Sequence, residues 1–271
     1  MFLWAILILQ LCMLSPSCKA AADNEGAILV LGDSWASASQ DFLGGVCGLV
    51  QNEAGAFDTE SRPVTNNGIA GSTAAGWASS GKAKNAFKNA KYEYAYVWLS
   101  IGGNDFKCGE SDSNSEISEN ILKVIEEVID SSSNENLQIL YTGYGYPSEE
   151  QCGGRTAPFD DLNSIISQAI QNSSYSEKVK YIDIASKFVT PESSPFSDKQ
   201  WYADDIHINE SGYIKLFSMP AVQEFFGCTS TAGPVSPPSS DGPSRLSSSG
   251  GIATPMLKFL LISILSMYYT F

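Results

Sequence analysis

The stretch Ile28-Leu29-Val30-Leu31-Gly32-Asp33-Ser34-Trp35 decides the reading of this chain. It is an apolar strand that ends in a glycine and delivers a serine just past its C-terminal end. In an open α/β sheet, ligands sit in the crevice outside the carboxyl ends of the strands. A serine there stands where a nucleophile is needed. The one histidine among the 271 residues, His207, lies near the other end, in Asp204-Asp205-Ile206-His207. Any chemistry that needs imidazole has a single candidate.

Working outward, apolar strands alternate with helical periodicities. Phe42, Val46, Leu49 and Val50 recur at helical spacing and predict a first helix carrying Cys47. Arg62 to Gly68 suits a short strand, followed by the glycine-bearing loop Ile69-Ala70-Gly71-Ser72-Thr73. Ala74 to Lys91 reads as one helix, and Tyr92 to Ile101 as a strand that breaks at Gly102-Gly103-Asn104-Asp105. The clearest helix follows: Ser113 and Glu116 form a capping box, and Ile117, Ile121, Val124, Ile125 and Val128 make one apolar face. Leu137 to Tyr141 is a strand, Leu162 to Ile170 an amphipathic helix and Val179 to Ile184 the last strand. A final helix starts at Asn209, and Pro220 kinks or ends it. This alternation predicts a parallel sheet with helices on both faces, about five strands in all. It leaves their order open.

The residue types at the strand ends fit acyl transfer. A serine hydroxyl attacks only once a base takes its proton, and the base needs an acid to orient it. Asp204 and His207 are three residues apart, close enough in a turn for the carboxylate to reach one ring nitrogen and leave the other for Ser34. An oxyanion needs donors, which a backbone N–H at Gly71 and the side-chain amide of Asn104 can supply. Taken singly, each piece has an ordinary reading: a capping serine, a turn glycine, a loop asparagine, a surface histidine. Together they fall in one order at the ends of successive strands.

In that order they resemble the four blocks of the SGNH hydrolases, the GDSL esterase/lipase superfamily. Gly32-Asp33-Ser34 matches the first block, Gly71 in Asn67-Gly68-Ile69-Ala70-Gly71-Ser72-Thr73 the second, Gly102-Gly103-Asn104-Asp105 the third and Asp204-x-x-His207 the last. The resemblance implies a flavodoxin-like three-layer α/β/α sandwich with strand order 2-1-3-4-5. It implies Ser34 as nucleophile, His207 as base, Asp204 as its orienting acid, and an oxyanion hole of the Ser34 and Gly71 N–H groups with the Asn104 side chain. No cofactor is implied. Trp35 stands where leucine is frequent in this family, and Tyr144 and Tyr146 are candidates to line the pocket. Gly32-x-Ser34-x-Ala36 is one residue short of the G-x-S-x-G of α/β-hydrolases, but here the serine follows the first strand rather than a later one. A phosphate- or flavin-binding module is excluded because the first loop offers no glycine- or hydroxyl-rich cradle. The rival class is a surface binding or adhesion protein that keeps the fold without the activity, against which intact Ser34, Asp204 and His207 argue.

The ends of the chain bear on location. Met1–Ala21 reads as a secretory signal, with an apolar run from Phe2 to Leu14 and small residues after it. Ala22–Cys228 is long enough for one α/β domain. Thr229–Gly251 is a Ser/Pro/Gly-rich stalk, and Ile252–Phe271 an apolar tail preceded by Ser247-Ser248-Ser249-Gly250-Gly251, the pattern of a GPI-attachment signal. The expectation is a monomer at the cell surface, held to the membrane by a lipid anchor and acting on a small-molecule, lipid or acylated-glycan ester. The net charge is −14, and without Lys19 and Lys258 it becomes −16, which disfavours nucleic acid as a partner. Four cysteines remain after Cys12 and Cys18 leave with the signal: Cys47, Cys108, Cys152 and Cys228. An even count in an oxidising compartment predicts two disulfides, with Cys108–Cys152 and Cys47–Cys228 as the expected pairs. One histidine and no Cys-x-x-Cys spacing give no usual zinc site, so no metal is expected. Asn172 and Asn209 open N-x-S glycosylation patterns.

Overall fold

The computed structural model describes residues 26–48, 62–106, 114–148 and 155–228. Its centre is a five-stranded parallel sheet in the order β2-β1-β3-β4-β5. The strands are β1 (Ile28–Gly32), β2 (Val64–Asn66), β3 (Tyr96–Ser100), β4 (Gln138–Thr142) and β5 (Val179–Ile182). Neighbouring residues of a strand face opposite sides, and here both sides are dry. Leu29, Leu31, Val97, Leu99, Ile139 and Tyr141 join one buried cluster. Ile28, Val30, Trp98 and Leu140 join the other. Burial on both faces is why these strands read as unbroken apolar runs rather than as alternating ones.

The first face is covered by α3 (Ala74–Ser80), α4 (Lys82–Lys88), α5 (Asn114–Ser131) and α6 (Ala157–Asn172). The stripe Ile117, Ile121, Val124, Ile125 and Val128 of α5 is wholly buried, as its spacing predicts. The second face is covered by α7 (Glu210–Phe217) and α8 (Pro220–Phe225), together with α1 (Ser34–Ser37) and α2 (Gln40–Leu43). Among the described residues no helix is long and apolar enough to cross a membrane.

Three local expectations need correction. The helix expected to run through Phe42 to Val50 stops at Leu43, where Gly44-Gly45 intervenes, and Cys47 lies in a separate 3₁₀ turn, Val46–Gly48; Leu49 and Val50 lie outside the described residues. The helix expected over Ala74 to Lys91 is two helices. Gly81 between them takes a left-handed conformation (φ 66°), which ends α3 and opens α4. Pro220 neither kinks nor ends the last helix but begins α8 at its first turn, where its missing N–H costs nothing. Asn209 caps α7 as expected, accepting from the Gly212 N–H. Ser113 of the expected capping box lies outside the described residues. A disulfide joins Cys47 to Cys228 with Cα atoms 5.0 Å apart, tying the first helical layer to the end of the last helix. Cys108 and Cys152 lie outside the described residues.

Candidate active site

β1 connects to β2 on one side and its neighbour β3 connects to β4 on the other, so the connections leaving the C-terminal ends of these adjacent strands run in opposite directions. A crevice at such a switch point is where open α/β sheets bind ligands. Ser34 stands there as the first residue of α1. Asp33 caps that helix, its Oδ1 accepting from the Trp35 N–H at 3.0 Å. β3 delivers Asn104 beside it, and the loop after β5 brings His207.

The spacing of Asp204 and His207 has a local cause. Asp204 Oδ1 accepts from the backbone N–H of Ile206 (2.9 Å) and of His207 (2.7 Å), folding the segment into a turn around its own carboxylate. The other oxygen, Oδ2, lies 2.7 Å from His207 Nδ1. Because the carboxylate only accepts, Nδ1 carries the proton, and Nε2 is left as an acceptor. Nε2 lies 2.9 Å from Ser34 Oγ. Partial burial pushes the Asp204 carboxyl up, but the His207 ring and the two backbone N–H groups outweigh it and hold it below its usual range. The His207 ring is therefore held by an ionised carboxylate.

Three oxyanion donors are expected, and the structure places them unequally. Ser34 and Asn104 line one cleft with His207. The Asn104 side-chain amide donates to the Ser72 carbonyl at 3.0 Å, which ties it to the loop containing Gly71. Gly71 is exposed and not part of the cleft lining, so its link to the site runs through that loop. Asp105, the next residue, has a different task. Its buried carboxylate accepts from the N–H groups of Ala74 (2.6 Å) and Ala75 (3.1 Å), holding the start of α3 against the end of β3.

Residues outside the four blocks complete the site. Tyr144, in the loop after β4, lines the cleft and donates its hydroxyl to Asp33 Oδ2. Burial and the neighbouring Asp33 keep the Tyr144 phenol well above its ordinary range, so it remains the donor. Tyr146 does not line the cleft; its hydroxyl goes to Asp160. Trp35 joins the two ends of the chain. Its indole N–H donates to the Ile206 carbonyl at 3.0 Å, directly before His207, and its own carbonyl accepts from the Tyr213 hydroxyl at 2.8 Å. Leucine, frequent at this position in the family that the blocks resemble, has no such donor. Trp35→Leu is thus expected to lower kcat by roughly 10- to 100-fold with little change in KM, because it frees the histidine turn from the serine turn. Steady-state kinetics on a soluble ester checks this; equal kcat in both proteins would refute it.

Asp33 is 1% exposed, and burial pushes its carboxyl from 3.8 to about 6 although the Tyr144 hydroxyl and the Trp35 N–H pull it down. Between those values the folded protein holds a proton that the unfolded chain has released. Stability therefore falls as pH rises through that window, and the cost above it is on the order of 3 kcal/mol. Asp33→Asn cannot ionise yet keeps an oxygen for the Trp35 N–H. Its melting temperature should decline less than that of wild type from pH 4 to pH 6, by a scan at fixed ionic strength. Parallel declines would contradict the assignment.

The sequence matches the model of the GDSL-like lipase/acylhydrolase family over residues 30–214. The chain belongs to that family. Solved structures of similar fold include a lipase/acylhydrolase from Enterococcus faecalis, with 20% identity, TM-score 0.51, and 74% of this chain and 95% of that one covered. A carbohydrate esterase family 3 protein from Talaromyces cellulolyticus shares 15% identity at TM-score 0.51, covering 75% and 99%. A carbohydrate acetylesterase from Sinorhizobium meliloti shares 14% at TM-score 0.50, covering 71% and 94%. No curated protein matches the sequence. Family membership makes the chain a serine hydrolase of ester bonds, and the five-stranded parallel sheet is the SGNH fold that the sequence blocks imply.

Proposed function

We propose that this hydrolase cleaves a carboxylic ester through an acyl-serine intermediate, with Ser34 as nucleophile, His207 as general base and Asp204 as its orienting acid. The observation that carries the reading is the unbroken relay from Ser34 Oγ through His207 to Asp204, at 2.9 Å and 2.7 Å. Ser34 Oγ attacks the ester carbonyl as its proton passes to His207 Nε2. The oxyanion draws on the Ser34 N–H and Asn104 Nδ2, with the Gly71 N–H as third donor. The Ser34 and Gly71 N–H groups have no acceptor among the described residues, which leaves them free for this. His207 then gives its proton to the departing alkoxide, and water, activated by the same nitrogen, releases the acid from Ser34.

The proposed setting is extracellular: signal Met1–Ala21, stalk Thr229–Gly251 and an Ile252–Phe271 tail exchanged for a lipid anchor, on a monomeric protein. Asn172 is the proposed glycan site, since it is exposed at the end of α6. Both amide hydrogens of Asn209 are engaged, by the carbonyls of Gln200 (2.8 Å) and Tyr202 (3.1 Å), so a glycan on that nitrogen would cost one of these bonds. The deciding experiment is covalent labelling with a small alkyl fluorophosphonate. Wild type should label, and Ser34→Ala should not. A folded wild type that stays unlabelled would overturn the mechanism.

A further inference from the structure

We infer that the substrate's acyl group is a short aliphatic chain of about four to eight carbons, held against a wall of Phe106, Phe159 and Leu162. This rests on the acyl-serine reading above, because the chemistry at Ser34 fixes which half of the ester lies where. The tetrahedral carbon bonded to Ser34 Oγ has three other substituents. Its oxyanion must point to Asn104, and its leaving oxygen must reach His207 Nε2 to be protonated. The acyl chain takes the direction that remains. In the cleft, Ile206 sits on the His207 side, half-exposed at 49%. The lining also holds Phe106, two residues beyond Asn104 in the chain, and Phe159 and Leu162 from the first turns of α6.

The chemistry of that wall is specific. Phe106 and Phe159 meet edge to face with ring centroids 4.8 Å apart, a self-supporting aromatic corner. Leu162 is 1% exposed and continues it into the core. Among the described residues no lysine or arginine lines the cleft, so no cation there recognises an anionic acyl group. Its ionised neighbour, Asp204, and the net charge of −14 repel one. Size sets the other limit. The cleft holds about 270 Å³, below the roughly 300–1,000 Å³ of sites that enclose a drug-sized ligand. A long fatty chain exceeds that volume, and an acetyl group fills little of it.

The test is a series of p-nitrophenyl esters from acetate to palmitate with the full chain, alongside small fluorophosphonate labelling. Expected is a kcat/KM that rises on the order of 10- to 100-fold from acetate to hexanoate, since each methylene entering an apolar pocket counts, and falls again by dodecanoate. Phe159→Ala should move the optimum to longer chains, and Phe106→Ala should do the same if Phe159→Ala fails to fold. An enzyme that labels at Ser34 but prefers acetate, or is indifferent to chain length, overturns the acyl wall and leaves the mechanism standing. Failure to label overturns both.

Discussion

His207→Ala is expected to lower kcat for ester hydrolysis by roughly four orders of magnitude, the upper range for a positioned general base. The relay has no substitute: His207 is the one histidine in the sequence, and among the described residues that line the cleft no other base is aimed at Ser34 Oγ. Asp204→Asn should cost less, about 100- to 1,000-fold. Its side chain is 56% exposed, so water can partly replace the charge, although the tautomer that directs Nδ1–H away from Ser34 would no longer be enforced. The two losses should not add, because an absent imidazole has nothing to be oriented. The double variant should therefore match His207→Ala alone. Single-turnover kinetics with a p-nitrophenyl ester measures all three; an Asp204→Asn variant as slow as His207→Ala would mean that the carboxylate does more than orient the ring.

How much of this was legible in the sequence depends on how local each interaction is. Asp204 and His207 could be read because their contact closes within one turn, fixed by backbone bonds only two and three residues long. The strand run at Ile28 could be read because burial on both faces removes every polar position from it. The break at Gly81 was available too: the glycine follows two serines in the middle of an otherwise helical stretch, and tertiary packing turned that signal into a boundary. Gly44-Gly45 offered the same warning before Val46.

The parts that were not legible join distant segments through side chain and backbone. The Trp35 indole finds a carbonyl 171 residues away, and any residue type at position 206 would present that carbonyl. No pattern of side chains can announce such a bond. Tyr144 and Asp33 are separated by 111 residues and meet only because β1 and β4 end on the same edge of the sheet. Strand order is what brings them together, and periodicity does not encode order. The acyl wall is of the same kind: Phe106 and Phe159 come from elements that follow different strands and meet in the crevice.

Gly32→Ala is expected to be the most destabilising single-methyl change in the domain. At φ 138° the residue occupies a region that side chains rarely enter, and an added Cβ would lie 1.8 Å from the Ser100 carbonyl oxygen. That oxygen belongs to the end of β3 and already accepts the Asp33 N–H at 2.9 Å, so it cannot retreat without losing the bond that turns the chain toward Ser34. The Gly32 carbonyl is also engaged, by the Ile69 N–H (2.8 Å) and the Ser72 hydroxyl (3.1 Å), which anchors the Gly71 loop to the same point. Relief in any direction breaks the packing of β1 on β3 or the loop that supports Asn104. The cost should be at least about 4 kcal/mol, a large share of the roughly 5–15 kcal/mol that holds a domain together. Urea unfolding checks it, with Gly44→Ala as the control, because the nearest atom to a Cβ there is 3.8 Å away. If Gly32→Ala unfolds at the same urea concentration as Gly44→Ala, the close approach of β1 to β3 is not what shapes the serine turn.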